Sequence, residues 1–281
     1  MRLKQKKTLI AASAVLAASA GGAATIVQAQ GAAPTVSVTV VARQVTLQGA
    51  EALQAGPTRF NVRRSDRGEH AVNVAALKPG TTAAEFETAL RRVRDPNSLF
   101  ELVTLDGGVG LFGPRSQGAV TLTLKPNTSY VVVDTGGDNP RRWPLTSFTV
   151  GAATQTAVAP RRDAVVTMRD YRFTGARNLP RNGTVRFKNR GRNPHFAIAF
   201  PLRPGADVEV AERAVRRNQE RALNQQVAGP PSQPQSLITP GATNDNELRF
   251  ERPGRYLMVC FFETGGRGHN ERGMVKTVRV R

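Results

Sequence analysis

The chain has 281 residues, 40% of them apolar, with 26 Gly, 18 Pro and a formal net charge of +19. That composition suits a turn-rich β protein and excludes a helical bundle. A single Cys excludes an intramolecular disulfide, three His exclude an enzyme built on several histidine-ligated metals, and no apolar run reaches the roughly 18 residues of a membrane span.

In chain order, residues 1–29 read as a secretory signal peptide. A basic start at Met1–Lys7 is followed by an apolar stretch over 8–20 and a small-residue cleavage site, Val27-Gln28-Ala29. The expectation is an exported protein (periplasmic, cell-envelope or extracellular) beginning near Gln30. Solitary thiols oxidise outside the cell, so Cys260 needs an explanation. Short Val- and aromatic-rich runs predict strands over 36–41, 59–63, 119–124 and 130–133, then over 165–168, 184–188, 195–200, 247–250, 256–260 and 275–280. Each half also carries one predicted helix. The first opens on the capping box Thr82-Ala83-Ala84-Glu85 and continues with Phe86, Leu90 and Val93. The second spans 207–222, with Val208, Ala211, Val215 and Ala222 on one side. Residues 225–243, rich in Pro, Gln, Ser and Gly, read as a low-complexity loop.

The halves align to each other. The segment from His70 to Gly80 matches that from His195 to Gly205 at an offset of 125, and 124–130 matches 250–256 at an offset of 126. A tandem duplication follows, with units over 35–150 and 164–281 and a linker at 151–162. At the second offset Asp134 pairs with Cys260, Trp143 with His269 and Phe148 with Met274. The first unit is therefore expected to be metal-free, with the Trp143 indole filling the site and His70 structural or at the surface. Net charge is +3 over 31–150 and +12 over 151–281. The basic residues scatter without an aromatic-interleaved nucleic-acid motif, so the expected partners are an acidic redox protein or an anionic envelope, not DNA or RNA.

The chemistry concentrates near the C-terminus. Cys260 ends a strand, a Gly-rich loop follows, and His269 and Met274 precede the last strand; His195 opens an earlier one. Two imidazoles and a thiolate with a weak axial thioether form the ligand set of a blue-copper site. Thiolate and thioether favour Cu(I) and imidazole suits both oxidation states, so such a site passes an electron with little rearrangement.

On these residues the sequence resembles the cupredoxins, and the Cys-x8-His-x4-Met spacing is similar to the blue-copper loop of copper nitrite reductases. The resemblance implies an all-β fold of two tandem cupredoxin-like Greek-key sandwiches with small helical inserts. It also implies one type 1 copper in the second unit, held by His195, Cys260, His269 and Met274, with His269 as an exposed electron port. Two positions depart from the family. Val259 stands where nitrite reductases have a His for a catalytic second copper, and Phe196 stands where many cupredoxins have Asn. The expected function is an exported carrier of single electrons rather than an enzyme. The alternatives are a metal-free cupredoxin-like interaction module and a copper storage or delivery protein.

Overall fold

The computed structural model describes residues 31–42, 44–112 and 116–281; the expected signal peptide lies outside them. The first half contains β1 (Thr35–Val41), β2 (Gln44–Gln48), β3 (Gly56–Arg64), β4 (His70–Leu77), α1 (Ala83–Arg92), a 3-10 turn over Pro96–Glu101, β5 (Val103–Leu111), β6 (Gln117–Leu124), β7 (Thr128–Asp134) and β8 (Leu145–Val150). The second contains β9 (Ala164–Arg169), β10 (Arg172–Gly175), β11 (Asn178–Leu179), β12 (Asn182–Asn189), β13 (His195–Pro201), α2 (Val208–Arg216), α3 (Glu220–Gln226), β14 (Ser232–Ile238), β15 (Thr243–Arg249), β16 (Gly254–Val259), the short β17 (Glu263–Thr264) and β18 (Arg267–Gly268), and β19 (Val275–Val280).

Strand side chains alternate between faces, so β1 buries Val36, Val38 and Val40 while β3 buries Thr58, Phe60 and Val62. In the first half, the layer β6-β3-β1-β2 faces the sheet β5-β4-β7-β8 across a core of Val36, Phe60, Leu122, Tyr130 and Val132. Tyr130 stacks on Phe148 with ring centroids 5.2 Å apart. Burying a side chain of this size stabilises the fold by about 1.5–3 kcal/mol. In the second half, β10-β9-β12-β15 faces β11-β19-β16-β13-β14 across Val166, Phe187, Ala197, Met258 and Cys260. The molecule is all-β, two sandwiches each with a helical insert. One layer of each half is joined to the other: β15 pairs with β6 through Asp245–Thr121, Asn246–Val120 and Glu247–Ala119, making one eight-stranded sheet. The Arg59 guanidinium grips Glu247 across this seam at 2.5 and 2.7 Å.

The capping box forms as expected, with Thr82 Oγ1 accepting from the Glu85 amide and Glu85 accepting from the Thr82 amide. The second helix departs from expectation. It ends at Arg216 and resumes at Glu220, because Asn218, at φ 51°, leaves the helix to bond Glu271 and Asn270. The loop expected over 225–243 is also corrected, since it holds the end of α3 and the strand β14. Its polar composition hid a strand whose side chains bond inward. Ser236 donates to Asn73 of the first half at 2.6 Å, and Asn246 donates to Gln235 at 2.7 Å.

Strand register repeats between the halves. Val72 lies opposite Asp134 and Asn73 opposite Val133; Ile198 lies opposite Val259 and Ala199 opposite Met258, the same pairing after the 125- and 126-residue offsets. Past Asp134 the offset breaks. Val133 faces Leu145 and Val259 faces Val275, so Pro144 occupies the place of Met274 and Phe148 that of Val278. The expected matches of Trp143 with His269 and of Phe148 with Met274 are corrected accordingly, because the first-half connection is four residues shorter. Trp143 packs on the α1 cluster, its indole N–H donating to Gly137 O at 2.6 Å. Asp134, not the indole, fills the place beside His70.

Candidate metal centre

Cys260 directly follows β16, whose neighbours in the sheet are β13, opened by His195, and β19, preceded by Met274. Sheet register therefore delivers the thiol and one imidazole to the same sandwich end. The second imidazole arrives by a loop that doubles back. Gly265 and Gly266, at φ 61° and 69°, form the tight turn between β17 and β18, a conformation that side chains with a Cβ resist. The His269 amide then donates to Phe262 O at 2.8 Å, closing the loop. Asn270 anchors its far side, donating to Val215 O at the end of α2 and to Asn218, both at 2.8 Å.

His195, Cys260 and His269 converge with no exposed surface. His195 Nδ1 lies 3.1 Å from His269 Nδ1, and Cys260 Sγ lies 4.0 Å from the first and 3.7 Å from the second. The centre of that triangle is about 2.1 Å from each atom, against roughly 2.0–2.1 Å for metal–imidazole and 2.3 Å for metal–thiolate bonds. The donors present thus fit a metal ion in size and in chemistry. Met274 is fully buried beside them; its amide donates to His269 O at 2.8 Å and its carbonyl accepts from the Cys260 amide at 3.2 Å.

Outer partners fix the rings. His195 Nε2 faces Asp170 Oδ1 at 3.3 Å and His269 Nε2 faces Thr264 Oγ1 at 2.9 Å. A carboxylate only accepts, so His195 carries its proton on Nε2 and turns a lone pair inward from Nδ1. His269 Nδ1–H then donates to His195, and Thr264 donates to His269 Nε2. Metal ligation requires that proton to move to Nε2, where Thr264 Oγ1 accepts it while the hydroxyl turns toward Asn193 Oδ1, 3.5 Å away. Asp170 also accepts from the Arg192 and Asn193 amides, which holds the loop before His195. Burial works against its charge, but these hydrogen bonds keep its carboxyl below the usual range.

Burial pushes the Cys260 thiol up to about 12, opposed by hydrogen bonds from the Phe196 and Phe262 backbone. The backbone of Phe196 thus reaches the sulfur although the side chain is not Asn. Burial, then the neighbouring His195, lowers His269 to about 4; burial also lowers His195 against the pull of Asp170. Without metal the cluster is neutral: one thiol and two neutral imidazoles.

The exposed port expected at His269 is corrected. Its ring is 0% exposed, walled by Tyr171 and Phe262 at centroid distances of 5.2 and 5.4 Å, because the β17–β18 hairpin folds over it. Sequence reasoning also missed Asp170, Thr264, Asn218 and Asn270. Only Thr264 and Asn270 lay inside the segment already singled out; nothing local marks the other two.

No protein-family model matches the sequence, and no curated protein matches it. Among solved structures the chain is similar to auracyanin B, at 23% identity over 44% of this chain and 93% of that one, with a TM-score of 0.27. Auracyanin A, a "blue" copper protein from Chloroflexus aurantiacus, matches at 18% identity over 42% and 99%, with a TM-score of 0.25. Copper nitrite reductase from Nitrosomonas europaea matches at 13% identity over 89% and 94%, with a TM-score of 0.26. At these scores the functional reading rests on the geometry of the site itself. Among the described residues no helix is long and apolar enough to cross a membrane.

Proposed function

We propose that the protein is an exported blue-copper carrier of single electrons, with one type 1 copper in the second half. The observation that carries this reading is the buried triangle of one sulfur and two Nδ1 atoms at 3.1, 3.7 and 4.0 Å. His195, His269 and Cys260 would hold the copper through two imidazoles and a thiolate, and Met274, buried beside them, would offer a weakly bonding thioether. Bound copper would supply a one-electron couple. The chain's part is to exclude water, hold both rings through Asp170 and Thr264, and release the thiol proton when the metal binds. A sandwich that resists deformation keeps the donors still between oxidation states, which favours transfer.

The third histidine, His70, has both nitrogens engaged, by Asp134 and Asp66, and so is not free to build a second copper centre. This favours carriage of electrons over catalysis. The positive second half suits an acidic redox partner or an anionic envelope. Addition of Cu(II) to the purified protein tests the reading. An intense blue or green colour with one copper per chain supports it. A colourless, copper-loaded protein replaces it with storage or delivery, and failure to bind copper replaces it with a metal-free interaction module.

A further inference from the structure

A cavity of about 220 Å³ lies on the α1 side of the seam between the two halves. Its floor is the apolar cluster of α1, the 3-10 turn and β5, with Leu90 and Leu99 buried. Trp143 lines it from the first half, and Leu237 of β14 and Phe262 line it from the second. The cavity therefore exists only where the two sandwiches meet.

Two features define what fits. In a chain of net charge +19, none of the lining residues is charged. The lining groups Asn73 and Thr135 are already satisfied: Asn73 donates to Ala71 O and Thr135 Oγ1 and accepts from Ser236, and Thr135 donates to Ala71 O. The Trp143 N–H is likewise held by Gly137 O. An ion entering this space would lose its hydration without compensation. The second feature is aromatic walling, with Phe100 and Phe262 rings 6.1 Å apart and tilted by 51°. Edge and face positions around such rings favour another aromatic ring. A dry cavity of roughly 150 Å³ accepts benzene, whereas drug-sized ligands need about 300 Å³ or more.

We propose that this cavity is a binding site for one neutral, largely apolar aromatic molecule of about two fused rings. Asn97, exposed at the rim, marks the way in. Phe262 gives the site its interest. The ring that walls the cavity also stands edge-on to His269, whose amide bonds the Phe262 carbonyl. A molecule bound here touches the aromatic ring that covers the metal-type cluster.

The test uses metal-free protein and 2-naphthol as probe, so it does not depend on whether copper binds at Cys260. Trp143 is the only tryptophan, and its emission reports the cavity wall directly. The expected result is a saturable change in Trp143 emission, one probe per chain by calorimetry, and a negative heat-capacity change. Leu99→Phe and Leu237→Phe fill the space and should each weaken binding about tenfold, with a cooperative unfolding transition retained. Should either fail to fold, Asn97→Asp, at an exposed position, sets a charge at the rim and should weaken binding several-fold. Binding that does not saturate, takes more than one probe per chain, or is unchanged in the folded variants overturns the proposal.

Discussion

Asp134 holds His70 Nδ1 at 2.5 Å, from the strand position that Cys260 occupies beside His195 in the second half. The two halves thus put different chemistry on one scaffold. Where the second half gathers three neutral donors around an interior point, the first closes the same strand ends with a carboxylate–imidazole–carboxylate chain, Asp66 taking Nε2 at 2.7 Å. Asp134 is further satisfied by the Ala71 and Gly136 amides.

That chain gives stability a pH dependence of known sign. Burial works to lower His70, but the bonds to Asp66 and Asp134 outweigh it and leave the imidazole above its ordinary 6.5. Its contribution is fully present below 6.5 and is lost as pH rises through the raised value. Asp66 is held down to about 2, chiefly by His70 and then by the Ala42 amide, so its contribution is present above 3.8 and lost as pH falls toward 2. Denaturant unfolding across pH should give the largest difference between the wild type and His70→Ala between these limits, shrinking on both sides. The variant should be less stable there by roughly 1–3 kcal/mol.

Cys260→Ser should abolish the strong visible band and most copper affinity, because a hydroxyl is not a soft anionic ligand. Met274→Leu should keep the colour and shift the reduction potential, because a thioether would bond copper only weakly. Absorption spectroscopy and redox titration of the copper-loaded variants check both outcomes. An unchanged band in Cys260→Ser would remove the thiolate from the ligand set.

Asp170→Ala frees the His195 ring and the 192–193 loop together. Loss of such an outer partner should lower copper affinity about 10–100-fold. Thr264→Val should act in the same direction through His269 Nε2, while leaving the 192–193 loop in place. Competition with a chelator of known affinity measures both.

Gly191 passes close behind the same imidazole. A Cβ there would lie 2.5 Å from Asp170 Oδ1 and 2.7 Å from His195 Nε2. Gly191→Ala should therefore displace the Asp170–His195 contact, costing about 1–3 kcal/mol in thermal unfolding. It should weaken copper binding alongside. A variant with wild-type affinity would mean that the loop yields without moving the ring.

What could be read from the sequence was local. Alternation of Val36, Val38 and Val40 marks β1, and the Thr82–Glu85 box marks α1. The scarcity of Cys and His made His195, Cys260 and His269 stand out before any contact was known. What could not be read depends on partners far along the chain. In β5, Gly107 and Gly108 look like a turn; they are glycine because Asn244 and the β4 backbone crowd against them. In β14, Ser236 is polar because Asn73, 163 residues away, needs a donor. Asp170 looks like an ordinary turn residue until His195 is folded against it. The burial of His269 follows from a hairpin of two short strands, which a Gly-rich loop conceals.

The shared eight-stranded sheet also governs how the molecule can be cut. Strands β6 and β15 each cover the other's open edge. A fragment severed in the 151–162 linker would present a row of unpaired N–H and C=O groups, ready to recruit a second fragment in place of the lost half. Taking the copper-type half alone, as one might with a module on a flexible tether, would therefore yield a self-associating strand edge. The first half acts as the chaperone of its neighbour's border.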